Sequence, residues 1–100
     1  YTCDQQIQHL VISFGGVKDV RLINEFSNQI ASLFSQFYPV CFALHDDEKH
    51  LHTHFIVSTT SYIPNTMPLT NKVLNHTFLP LMEQAAAVYQ ISLRKVTKNV

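Results

Sequence analysis

Residues 45–57 read His-Asp-Asp-Glu-Lys-His-Leu-His-Thr-His-Phe-Ile-Val. Four of the six histidines of the chain fall in the first ten of these positions. Side chains along a β-strand alternate between faces with a period of two. In a strand over Leu51–Ser58, His52 and His54 therefore share one face, and Thr53, Phe55 and Val57 take the other. Asp46 to Lys49 is a polar turn, and Val40 to Leu44 is a short β-type run before it, with His45 ahead of the turn. Two such runs around a polar turn predict a hairpin.

Outward from the hairpin, Gln8 to Phe14 reads as a buried strand that ends at Gly15-Gly16. Asp19 is an expected N-cap. Ile23, Phe26, Ile30, Leu33, Phe34 and Phe37 then recur every three or four residues, an amphipathic helix of about five turns. Pro39 blocks its continuation. After the hairpin comes a loop of about a dozen residues with Pro64, Asn65, Pro68 and Asn71, long enough to suggest a functional or mobile segment. A second helix is expected to begin between Asn75 and Thr77, so that Pro80 falls in its first turn, and to end near Tyr89. Its inner face is Phe78, Leu81, Met82, Ala85, Ala86 and Tyr89. Ile91 to Val96 is the last strand. This β-α-β-β-α-β order predicts a single α+β domain over 1–100, ferredoxin-like, an antiparallel sheet with both helices on one face. Its first and third strands are central neighbours. Leu10, Ile12, Phe14, Thr53, Phe55 and Val57 then face the helices. His9, Val11 and Ser13 share the open face with His52 and His54.

The chain has 100 residues and is 46% hydrophobic with 11% aromatic content, which suits one folded domain with its own core. Seven basic residues balance seven acidic ones. That balance argues mildly against a nucleic-acid binder, although a bound divalent cation would add charge that the count omits. Cys3 and Cys41 have neither metal nor disulfide spacing, so reduced thiols in a cytoplasmic protein are expected. No apolar run is long enough to span a membrane, and there is no signal-peptide pattern.

A histidine in a strand is usually a satisfied core or surface residue. Grouping and spacing change that reading here: His45, His52 and His54 are predicted to ligate a metal. Three imidazoles leave coordination positions open, the pattern of a catalytic centre. Imidazole suits Mn, Zn, Co, Ni or Fe better than Mg, which prefers oxygen. Asp47 is positioned to accept from one ligand and fix its tautomer. Asp46 and Glu48 read as a solvated turn, His50 as rim, and His9 and His76 as isolated structural residues.

The motif His45-x-Asp47-x4-His52-x-His54-Phe55-Ile56-Val57 resembles the three-histidine motif of plasmid mobilisation relaxases of the MobA/VirD2-like kind. These belong to the His-hydrophobic-His endonuclease superfamily. His9-Leu10-Val11-Ile12-Ser13-Phe14 is similar to the strand that precedes the motif in that family, and the resemblance covers about Gln8 to Ile91. Two positions depart from it: Thr53 stands where a hydrophobic residue is usual, and His50 where a small polar one is frequent. The resemblance implies strand-specific nicking and rejoining of single-stranded DNA at a transfer origin in the bacterial cytoplasm, for conjugation or mobilisation, with accessory mobilisation proteins as further partners. It implies a divalent metal, Mn or Mg, with Zn, Co or Ni as others the histidines would accept, held by His45, His52 and His54. A tyrosine attacks the scissile phosphate and stays joined to the 5′ end. In relaxases that tyrosine lies upstream of the first strand, whereas relatives place it downstream of the histidines. Tyr1, Tyr62 and Tyr89 are the candidates here. The expectation is that the chain is a fragment of a larger relaxase whose nucleophile lies on a segment it lacks.

Two other functions compete. The same fold order supports RNA binding on the open sheet face, which wants aromatic and basic residues there. A metal-sensing regulatory domain would need only the histidines.

Overall fold

The computed structural model describes residues 7–14, 19–46 and 51–93, and the backbone of 95–98. Tyr1, Cys3, Asp47, Glu48 and His50 lie outside the described residues. The elements are β1 (Ile7–Ser13), α1 (Val20–Ser35), β2 (Val40–Asp46), β3 (Leu51–Ser58), α2 (Asn71–Val73), a π-helical turn (Leu74–Phe78), α3 (Leu79–Val88) and β4 (Lys95–Lys98). The protein is an α+β fold. All strand pairs are antiparallel, in the order β2-β3-β1-β4, so β1 and β3 are the inner neighbours.

The sheet alternates as its sequence does. Gln8, Leu10, Ile12 and Phe14 are buried, as are Leu51, Thr53, Phe55 and Val57, while the residues between them are half-buried. On that inner face α1 packs Ile23, Phe26, Ile30 and Phe34, each fully buried. Phe34 stacks on Phe78 at 4.6 Å, and Phe26 meets Phe14 and Tyr89 edge-on, which joins the second helical segment to the same core. Asp19 caps α1 as its sequence predicts, accepting from the Leu22 N–H at 3.1 Å.

Four boundaries differ from expectation. First, β2 runs on to Asp46, paired with Leu51, so His45 is a strand residue opposite His52 rather than one ahead of a turn. Second, α1 ends at Ser35. Phe37 is therefore exposed, and Tyr38 turns inward, its N–H donating to Phe34 O at 2.7 Å. Third, the second helical segment begins at Asn71, capped by Thr70, and not between Asn75 and Thr77. The π turn resolves the proline problem: the Leu79 N–H bonds back to Leu74 O, and α3 starts afresh with Pro80 at its N-terminus, where no N–H is required. Fourth, the last strand pairs at Lys95–Lys98 rather than from Ile91, and Ile91 is instead buried after α3.

The long loop is anchored rather than loose. Tyr38 Oη donates to Met67 O at 2.6 Å, Leu69 N–H to Thr59 O at 2.9 Å, and Ser61 Oγ to Phe37 O at 2.6 Å. Leu69 is fully buried, and the buried Gln8 amide donates to Leu69 O at 3.0 Å and to Asn71 Oδ1 at 3.1 Å.

Candidate metal and DNA-processing centre

The site stands on the sheet face opposite the helices. Register places His45 directly across from His52, and Ala43 across from His54. His45 and His54 are thus diagonal neighbours, a separation that ring-bearing side chains bridge. Ring centroids are 4.4 Å apart for His45–His54 and 5.2 Å apart for both His45–His52 and His52–His54. One ligand nitrogen from each of the three lies within 4.8 Å of the others. His45 is exposed, and His52 and His54 are half-buried. A metal–imidazole bond of about 2.1 Å sets two nitrogens on one tetrahedral ion roughly 3.4 Å apart, so small rotamer changes close the set around an ion. Three nitrogen donors with open access could hold a divalent metal.

Crowding has an electrostatic consequence. The pKa of His54 is lowered from its ordinary value of 6.5, first by burial and then by the neighbouring His45, His52 and His9. A lowered pKa keeps the imidazole unprotonated, the form that ligates.

His9 does not stand alone, contrary to the expectation from sequence. Its Nε2 lies 3.0 Å from His54 Nδ1, with ring centroids 5.2 Å apart. Its neighbour across the strands is Ile56, which makes His54 its diagonal partner. The signal was present in the parity of β1, where His9 shares a face with Val11 and Ser13. What was absent was the register against β3.

The described tyrosines sit elsewhere. Tyr89 packs edge-on against Phe26, on the helix side of the sheet. Tyr62 is exposed in the loop beyond Ser58, roughly 13 Å of strand past His54. Tyr38 is buried, with its hydroxyl committed to Met67 O, and burial raises its pKa above 10.0. Asp46 is exposed at the end of β2, and His76 is exposed in the π turn.

Thr53, between two of the histidines, points into the core. Its hydroxyl lies 2.9 Å from Ser27 Oγ on α1, and both residues are fully buried. The polar residue at a usually hydrophobic position is therefore matched by a partner on the helix.

The model of the family "Relaxase: MobA/VirD2-like, nuclease domain" matches residues 2–90. The chain belongs to this relaxase family. Neither a curated protein nor a solved structure matches it. Membership makes this relaxase domain a nuclease of plasmid mobilisation with DNA as its substrate. Among the described residues, no helix of the relaxase domain is long and apolar enough to cross a membrane.

Proposed function

We propose that this relaxase domain nicks and rejoins one DNA strand at a transfer origin, with a divalent metal held by His45, His52 and His54. The observation that carries the reading is the convergence of three imidazole nitrogens within 4.8 Å on the open face of the sheet. His45, His52 and His54 would hold the metal, which when bound would supply Lewis-acid polarisation of a scissile phosphate and offset the negative charge that develops there. Burial of Thr53 and Phe55 on the other face of β3 fixes the backbone that carries His52 and His54. We assign the fold to the ferredoxin-like type, from the strand order and the shared helix face, and the chemistry to the His-hydrophobic-His class. In the reaction a tyrosine oxygen bonds to phosphorus and the 3′ oxygen of the cut strand leaves with a proton. The 5′ end remains as a phosphotyrosine, and the reverse attack reseals the strand.

The attacking tyrosine is assigned to none of the three tyrosines among the described residues. Support comes from Tyr38, Tyr62 and Tyr89, which all lie away from the histidines. Asp47 is proposed, from the motif alone, to accept from one of the ligand imidazoles. Accessory mobilisation proteins and a bacterial cytoplasmic setting complete the reading, supported by the family alone. The RNA-binding alternative gains nothing, because His9, Val11, Ser13, His52, His54 and Ile56 on the open face of β1 and β3 form a poor stacking platform.

The test is a labelled single-stranded origin oligonucleotide incubated with Mn or Mg and the protein extended to include a tyrosine-bearing segment. A covalent protein–DNA species on a denaturing gel is expected. No cleavage in either metal would sink the catalytic reading. Calorimetry tests the ligands separately: equal Mn affinity for His52→Ala and the parent would overturn the assignment.

A further inference from the structure

We propose that His9 is a positioning residue that holds His54 in the one tautomer able to ligate metal. The inference rests on the metal reading above and concerns a residue outside the three ligands. In the 3.0 Å contact between His9 Nε2 and His54 Nδ1, one nitrogen donates and the other accepts. If His9 Nε2 carries the hydrogen, the neutral His54 ring has its own hydrogen on Nε2 and no lone pair left for an ion. If His54 Nδ1 carries it, His54 Nε2 is free to ligate and His9 Nε2 is the acceptor. Only the second arrangement is compatible with a metal centre at His45, His52 and His54. It also reproduces a general feature of metal-bound histidines, whose distal N–H is held by an acceptor that sets ring orientation and raises donor strength.

The fold supports the role. His9 is half-buried on β1, and β1 is the strand next to β3, so a rigid backbone pairing presents the acceptor. His9 is not one of the three residues whose ligand atoms converge, and its contact is with His54 Nδ1. An imidazole acceptor is neutral, so unlike a carboxylate it adds no negative charge to the site. The site then keeps its full attraction for an anionic phosphate.

The experiment uses the 100-residue chain, its His9→Phe variant, which keeps a ring but has no acceptor, and His9→Gln, whose amide oxygen can accept. Long-range proton–nitrogen correlation spectra of the metal-free protein report the His54 tautomer directly. The hydrogen is expected on Nδ1 in the parent and on Nε2 in His9→Phe. Zinc or manganese calorimetry should show an affinity loss of about 10- to 100-fold for His9→Phe and recovery in His9→Gln. A parent His54 protonated on Nε2, unchanged affinity in His9→Phe, or no rescue by His9→Gln would each overturn the proposal. If His9→Phe fails to fold, the tautomer in the parent still decides. A parent that binds no metal refutes the metal reading, while the tautomer spectrum continues to judge His9 by itself.

Discussion

Thr53 shows how one residue can serve two faces of a sheet. Its backbone spaces His52 and His54 correctly, while its side chain is spent on Ser27 beneath the sheet. Removing one hydroxyl strands the other in a dry core, at a cost of about 1–3 kcal/mol. Thr53→Val is thus expected to lower the melting temperature, by roughly 4–8 °C per kcal/mol for a domain of this size. The double variant Ser27→Ala/Thr53→Val should recover much of the loss, because neither hydroxyl is then orphaned. Thermal unfolding of the four proteins reads the coupling, and additive losses would contradict it. The histidine spacing at 52 and 54 was legible from strand periodicity alone. The Ser27–Thr53 pair was not, because nothing local to either residue reveals which helix turn lies under which strand position.

Among the elements, α1 was the most readable, since its apolar stripe and its cap agree. Asp19→Ala should destabilise the domain by about 1 kcal/mol, measured by urea unfolding, and no change would mean that the 3.1 Å cap bond is compensated by solvent. The second helical segment was misread because Pro80 signals a helix start. The π turn at Leu74–Phe78 lets the helix begin at Asn71 and still accommodate the proline, a local rewinding that no periodicity announces. The loop after β3 reads as mobile from its length, yet Tyr38 Oη and Gln8 Nε2 pin it to the core. Tyr38→Phe removes the hydroxyl that bonds Met67 O and is expected to speed amide hydrogen exchange around Thr66 to Leu69, with a stability loss of about 1 kcal/mol. Unaltered exchange there would show that the loop is held by its apolar contacts alone.

For the whole molecule, the folded state holds His54 below 6.5 through burial and its histidine neighbours. The unfolded chain therefore takes up this proton at a higher pH than the folded one. Stability is greatest above 6.5 and falls as pH drops from there through the lowered folded value. Metal-free protein should melt at a lower temperature at about pH 5.5 than at about pH 7.5. His54→Gln should flatten that dependence, and a parent curve with the opposite slope would contradict the sign. Strand order and core face were readable from sequence, but the His9–His54 contact joins residues 45 positions apart and depends on inter-strand register. That separation has a thermodynamic consequence. His45, His52 and His54 fall within ten residues of chain, so an unfolded hairpin segment can also capture an ion, whereas His9 joins them only on folding. Ligand binding to the unfolded chain subtracts from the stabilisation that native affinity would supply. Metal should raise the melting temperature less than its dissociation constant predicts, and the remaining increment measures the part of the centre that only the folded sheet assembles.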